Sequence, residues 1–445
     1  MSSRATPSPA MLRRVVAAAV LGNAFEWYDF AIYGLFAAMI AKLYFPAGGP
    51  MTSLMLSLAT FGVGFAVRPA GGILIGMYGD RVGRKRALSL TITLMATGTG
   101  MIGLIPAYER IGIAAPALIV LARMIQGISA GGEFSGATTM LIEFAPAHRR
   151  GLLGSFQMCA QALSFLCGAA TVWLLTDLLT AAQLESWGWR LPFLFGILIG
   201  PLGWLIRARV DESPEFVACV AAKTGAKAGA GGHGEAKEAG SELRDLVTKH
   251  ARALFASTGV CVVGTVSAYM FVIFLPLFAK QLGVPAAQAN RGTFIAMAIV
   301  FAVCPLAGHL SDRFGRKAVY LPATMGYGLV AWWLFHRFAA APSAVTLLTL
   351  QAGVACFMGL LWGPMPVILA EVFPAAVRST AAALAYNVAV LVFGGLAPFV
   401  NVWLVKLSGS NLAPIYYVEL SVVIGLASGL LLPGILKPDW RTRPA

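Results

Sequence analysis

A ten-residue basic loop occurs twice in this chain, each time between two long apolar stretches. The first copy is Gly76-Met77-Tyr78-Gly79-Asp80-Arg81-Val82-Gly83-Arg84-Lys85, and the second is Gly308-His309-Leu310-Ser311-Asp312-Arg313-Phe314-Gly315-Arg316-Lys317. Their aspartates are 232 positions apart (312 − 80). Another pair of segments repeats at nearly that offset: Glu143-Phe144-Ala145-Pro146-Ala147 with Arg150 matches Glu371-Val372-Phe373-Pro374-Ala375 with Arg378, 228 positions on (371 − 143). The chain therefore reads as two related halves carrying the same pair of hinges. A parallel duplication about an axis along the membrane normal is one architecture for alternating access across a bilayer.

The medium follows from composition. Of 445 residues, 58% are hydrophobic and 12% charged, far from the balance of a soluble domain. Apolar windows of about 20 residues, enough to cross ~30 Å of hydrocarbon, begin near residues 15, 53, 88, 113, 150, 189, 252, 292, 318, 344, 377 and 412. The expected fold is an all-α integral membrane protein with twelve transmembrane helices in two six-helix, pseudo-symmetric halves. Residues 1–14 form a cytoplasmic N-terminal segment, 15–209 the first bundle, 210–251 a cytoplasmic linker, 252–436 the second bundle and 437–445 a cytoplasmic tail. Kinks are expected at prolines such as Pro276 or Pro364.

The formal charge of +14 raises nucleic acid as a partner, and its distribution removes the need for one. Arg13, Arg14, Arg81, Arg84, Lys85, Arg86, Arg149, Arg150, Arg207, Arg209, Arg313, Arg316, Lys317, Arg378, Lys437, Arg441 and Arg443 share one side of a twelve-span arrangement. That bias puts both termini in the cytoplasm of a bacterial inner membrane protein. No cleavable signal precedes the first span, which serves for insertion itself. The six cysteines lack metal-ligand spacing and read as small packing residues; neither metal nor cofactor is expected.

Charges inside the membrane are costly, so each one within a span is a functional candidate that needs a partner. Glu26 and Asp29 lie about 12 residues, or ~18 Å of helix, beyond Arg14 and share a face at i, i+3. Arg68, before Pro69, sits at similar depth in the second span. In the fourth, Arg123, Gln126, Ala130 and Glu133 follow one helical stripe. Each histidine maps to a loop or a span end, so Glu26, Asp29 and Glu133 are the candidates for carrying a proton. Substrate-binding candidates are Arg123, Arg68, Gln126 and Tyr28 from the first half, with Trp362, Tyr386 and Asn387 facing them from the second. Gly127, Gly131, Gly132 and Gly136 have the small-residue spacing of close helix packing.

The duplicated loop has mechanics of its own. Its glycines allow a tight turn and close helix approach. Its aspartate can cap or pair across the hinge, and its arginines can reach Glu143, Glu371 or helix C-terminal carbonyls. Gly76, Asp80, Arg81, Gly83, Arg84, Glu143, Asp312, Arg313, Gly315, Arg316, Glu371 and Arg378 are the gating candidates, and the bland alternative is that these charges only set topology.

These residues resemble the major facilitator superfamily, whose loop between spans two and three reads Gly-x-x-x-Asp-Arg-x-Gly-Arg-Lys. Arg123-Met124-Ile125-Gln126-Gly127 also looks like its Arg-x-x-Gln-Gly motif, associated with proton coupling. Gly22-Asn23-Ala24-Phe25-Glu26-Trp27-Tyr28-Asp29-Phe30, Val67-Arg68-Pro69-Ala70-Gly71-Gly72, Gly131-Gly132-Glu133-Phe134 and Glu212-Ser213-Pro214-Glu215-Phe216 are similar to one branch. That branch, the metabolite:proton symporters, includes citrate, 2-oxoglutarate, shikimate and proline/betaine carriers. The resemblance implies twelve helices, a central cavity between the halves and uptake driven by the proton gradient. Osmosensing proline/betaine carriers of this branch have a long C-terminal coiled-coil extension, and ending at Ala445 weighs toward an organic acid.

The leading expectation is a proton-coupled symporter importing a small organic acid of the citrate, tricarboxylate or dicarboxylate type, working as a monomer in the lipid bilayer. A zwitterion such as proline or betaine is the alternative substrate, with its cation over Trp27 or Trp362. A transporter-like membrane sensor is the alternative of another class. No nucleophile and base pair or metal cluster is visible at depth, which speaks against an intramembrane enzyme.

Overall fold

The computed structural model describes residues 9–46, 49–82, 84–132, 138, 141–142, 145–197, 248–374 and 377–432. Regular structure among them is helical throughout. In hydrocarbon a segment must satisfy its backbone polar groups internally, and an α-helix does so within itself. The first half contains α1 (Pro9–Leu35), α2 (Pro50–Ala66), α3 (Arg68–Val82), α4 (Arg84–Leu104), α5 (Ala114–Ser129) and α6 (Arg150–Leu178). The second half contains α7 (Ala251–Ala268), α8 (Ala286–Phe314), α9 (Arg316–Ala340), α10 (Ala344–Trp362), α11 (Met365–Glu371), α12 (Arg378–Ala389), α13 (Ala397–Ser408) and α14 (Ala413–Leu431).

Eight helices among the described residues are long and apolar enough to cross a membrane, and Ser89–Leu104 and Ala114–Ser129 are shorter apolar helices. The linker, 210–247, and the tail, 437–445, lie outside the described residues. The first helix starts at Pro9, six positions before the expected span, because proline is well placed in a helix's first turn.

Prolines mark the breaks. Pro69 follows the interruption at Val67 that separates α2 from α3. Gly363 and Pro364 separate α10 from α11, and Pro276 begins Leu275–Gln281 directly after a π-helical turn at Tyr269–Phe274. Both helices are thus irregular at the prolines where kinks are expected. A second π-helical turn, Val390–Gly394, precedes Pro398. A proline lacks the N–H for the i−4 bond, and a wider or interrupted turn absorbs the mismatch.

The halves meet along two seams. α6 packs against α8, and α2 packs against α13 and the Val390–Gly394 turn. Within the first half, glycines bring backbones together. A Cβ at Gly127 would meet the Gly64 carbonyl, and one at Gly131 would meet the Arg68 carbonyl and the Gly72 amide. Gly131→Leu must therefore push α5 off α3, and overpacking of this kind costs about 1–3 kcal/mol. Thermal unfolding of purified protein should show a clear fall in Tm for Gly131→Leu and almost none for Gly49→Ala, where a Cβ meets nothing within 4 Å.

Candidate functional site: a buried charge cluster and a polar clamp between the halves

One face of α1 carries Glu26, Asp29, Phe30 and Tyr33 at i, i+3, i+4 and i+7, and two buried arginines close on it. Arg68 Nη2 lies 3.6 Å from Glu26 Oε1. Its guanidinium is 4.6 Å from the Phe30 ring centre, 4.7 Å from Phe65 and 5.1 Å from Trp27. Arg123 donates to Gln126 Oε1 at 2.6 Å and to the Phe61 carbonyl at 3.4 Å. It sits 4.6 Å from both Phe30 and Tyr33. Phe30 thus offers its π-system to both cations, an arrangement that gains strength where water is excluded.

Asp29 joins the cluster through Thr99. The Thr99 hydroxyl reaches Asp29 Oδ2 and receives a hydrogen bond from Gln126 Nε2 at 2.8 Å. Asp29, Thr99, Gln126 and Arg123 form one connected chain from α1 through α4 to α5. Arg68 is less completely held: neither its Nε nor its Nη2 has a hydrogen-bond partner. Glu133 lies outside the described residues.

The second half closes this cluster with aromatic and amide groups. Tyr269 packs edge-on against Phe61 and Phe65, at 5.8 and 5.5 Å between ring centres. The Tyr386 hydroxyl accepts from Gln161 Nε2 at 3.0 Å, and its ring stands edge-on to Trp27 at 6.5 Å. Asn387 donates to the Gly131 carbonyl at 3.1 Å. Trp362 is held within its own half, donating to Ser267 Oγ at 3.0 Å and lying 3.2 Å from the Gly264 carbonyl. Tyr28 is turned away, against Thr171 and Cys167 of α6. Glu26, Asp29, Arg68, Arg123, Gln126, Tyr269, Trp362 and Tyr386 are buried and Asn387 is half-buried, so the centre is closed in this structure.

Sequence reasoning missed Phe30, Phe61, Phe65, Thr99 and Gln161. It also passed over Glu419 of α14, a half-buried carboxylate beside Tyr327 and Gly328. The spacing Glu26, Phe30, Tyr33 could have found part of the cage.

At the first turn of α6, the second loop copy ties the two halves together. The Asp312 carboxylate accepts from the backbone N–H of Gly151 at 2.7 Å and of Leu152 at 2.9 Å. These amides belong to the first turn of α6, whose N–H groups have no partner within the helix and carry its positive dipole end. Arg316 donates to Asp312 at 2.7 Å and grips Glu371 with Nε and Nη2 at 3.0 and 3.1 Å. Gly315 joins α8 to α9 at φ 103°, a conformation L side chains rarely adopt. A Cβ on Gly151 or Gly308 would strike the other's carbonyl, which lets α6 and α8 approach so closely. Arg313 is turned outward over Phe314, and Arg378 heads α12 with its Nε lacking a hydrogen-bond partner. In the first copy, Gly83, Glu143 and the side chains at Gly76, Asp80, Arg81 and Arg84 lie outside the described residues.

The sequence model of the "Sugar (and other) transporter" family matches residues 15–434. The chain belongs to that family. It is 36% identical over 438 residues to the glycine betaine/proline/ectoine/pipecolic acid transporter of Dickeya dadantii (strain 3937), covering 95% of this chain and 83% of the relative. It is 34% identical over 406 residues to the citrate-proton symporter of Klebsiella pneumoniae, covering 91% and 88%. The fold is that of the major facilitator superfamily. The proton:xylose symporter XylE bound to 6-bromo-6-deoxy-D-glucose superposes with a TM-score of 0.75 over 98% of this chain and 96% of that one, at 20% identity. This member is accordingly a multi-pass membrane transporter and not an enzyme.

The clamp has a measurable consequence. Cys159 and Cys304 are buried on α6 and α8, behind Asp312. Asp312→Asn weakens charge-assisted bonds, each contributing roughly 1.5–3 kcal/mol. Maleimide labelling of Cys159 and Cys304, read site by site by mass spectrometry, should accelerate on the order of tenfold or more in Asp312→Asn, with the already exposed Cys167 and Cys356 unchanged.

Proposed function

We propose that this transporter is a proton symporter importing a small organic acid of the citrate, tricarboxylate or dicarboxylate type. The observation that carries the reading is Arg68: a buried guanidinium packed by three aromatic rings, with one carboxylate 3.6 Å away and Nε and Nη2 lacking hydrogen-bond partners. Arginine's planar fork matches a carboxylate bidentately. A substrate carboxylate arriving at Arg68 competes with Glu26, and a Glu26 released from its cation in a dry site takes up a proton. Substrate and proton then enter together. Arg123, Gln126, Tyr386 and Asn387 complete the pocket on this reading, and Asp29 and Glu133 are the other proton carriers to test.

Asp312, Gly315, Arg316 and Glu371, with their counterparts Asp80, Gly83, Arg84 and Glu143, gate the cytoplasmic side by alternating access. The halves are 15–209 and 252–436, and the chain works as a monomer in the bacterial inner membrane with both termini in the cytoplasm. What supports this is the basic residue distribution, the bacterial relatives and a site assembled by the two halves of one chain.

A zwitterion such as proline or betaine is the second reading. The rings of Trp27, Phe165 and Tyr386 gather beside Arg68, which suits a cation next to a carboxylate. The Dickeya dadantii relative also carries a name of this kind.

Proton flux into proteoliposomes should separate the readings. Citrate, tricarballylate, 2-oxoglutarate, shikimate, proline and betaine are added in turn, and external alkalinisation with an organic acid is expected. A response to proline or betaine alone would transfer the proposal to the zwitterion. Silence across the panel, with binding detected by thermal shift, would replace symport by exchange or sensing.

The same vesicles test the roles. Arg68→Gln should abolish both accumulation and exchange. Glu26→Gln should abolish proton-driven accumulation while exchange of internal for external substrate continues; unchanged accumulation would remove Glu26 from the mechanism, and Asp29→Asn and Glu133→Gln follow the same logic.

A further inference from the structure

The polar groups of α6 that face the interior follow a stripe: Gln157, Gln161 and Ser164 at i, i+4 and i+7. Ser164 donates to the Ala24 carbonyl at 2.7 Å, and Gln161 donates to Tyr386. Gln157 behaves differently. Its side chain is fully buried, and neither Oε1 nor Nε2 has a hydrogen-bond partner. Asn23 of α1 lies alongside, donating to the Gln157 carbonyl at 3.3 Å while its own Oδ1 has no partner.

An amide with both ends unmet is expensive in a water-poor interior. Asn23 and Gln157 together present two acceptor oxygens and one donor nitrogen without partners. They lie one helical turn, about 5.4 Å, to the cytoplasmic side of Gln161, whose partner Tyr386 abuts Trp27 and, through it, Arg68. A carboxylate alone supplies only acceptors and would leave both oxygens unmet.

We propose that Asn23 and Gln157 form a hydrogen-bonding station that selects, among small carboxylates, those carrying an O–H or N–H donor. The inference rests on the transport reading above and narrows its substrate class to hydroxy acids or N–H-bearing amino acids. A site built to hydrogen-bond a substrate O–H or N–H discriminates strongly against the analogue lacking it, because the buried partners are then stranded.

The test compares matched pairs in proteoliposomes: citrate with tricarballylate, which keeps three carboxylates without the hydroxyl, and proline with N,N-dimethylproline, which has no N–H. Whichever pair is transported, the donor-bearing member should exceed the other in kcat/KM on the order of ten- to a hundredfold. The ratio should fall to within about threefold in Gln157→Met and in Asn23→Ala. A wild-type ratio near one, as expected if the amides hold only water, overturns the proposal, as does a ratio preserved in both variants. The wild-type ratio needs no variant and decides even where Gln157→Met fails to fold. If none of the four compounds, nor 2-oxoglutarate or shikimate, moves protons or shifts the melting temperature of wild-type protein, the carboxylate symport reading itself falls; transport without discrimination, or of the donor-free 2-oxoglutarate alone, removes only the station.

Discussion

The organisation of this transporter depends on the cost of placing two guanidinium groups inside a membrane-embedded bundle. A buried cation must find compensation in fixed partners, since water is absent and screening is weak. Arg68 and Arg123 find it largely in ring faces, sharing Phe30 between them. That sharing couples α1 to the break between α2 and α3 and to α5, so a displacement at one arginine is felt at the other. The glycine contacts of α5 with α2 and α3 follow from the same need, because only backbone-to-backbone approach brings Arg123 onto Phe61 and Tyr33.

Much of this was legible in the chain. The duplicated loop and its companion segment identified two halves, and depth counting put Glu26, Asp29 and Arg68 at one level. Proline positions foretold the breaks near Pro276 and Pro364 because the missing N–H is a local property. The aromatic cage was not legible: in a chain this apolar, Phe30, Phe61 and Phe65 look like any packing residue until the arginines lie on them. The Asp312 contact with Gly151 and Leu152 was likewise hidden, since it joins backbone groups 160 and 161 residues away. Tyr28, two positions from Glu26, falls on another face of α1.

The clamp and the charge cluster are joined by α6. Its first turn is held by Asp312, while Gln161 and Ser164 bind Tyr386 and the backbone of α1 farther along. A rigid helix held at both places transmits displacement between them, so events at the cluster and release of the clamp are mechanically linked. The remaining span between these anchors contains Gln157, whose unmet amide leaves that stretch the least satisfied part of the seam.

The two sets of contacts between the halves differ chemically. The Asp312 contacts at the first turn of α6 are charge-assisted bonds, which are about twice as strong as neutral ones. The cross-half contacts at the centre, Gln161 with Tyr386 and Asn387 with Gly131, are neutral hydrogen bonds contributing roughly 0.5–1.5 kcal/mol each. The halves are therefore held together more firmly at the first turn of α6 than at the centre. On the proposed reading, separating the halves needs compensating interactions that form only when ligand bridges them, and a ligand that satisfies Arg68 while Glu26 is neutralised would supply them without leaving a buried charge unpaired. A proton without substrate, or substrate without a proton, would then leave one of those charges stranded, which is the physical condition that reading requires for obligatory coupling.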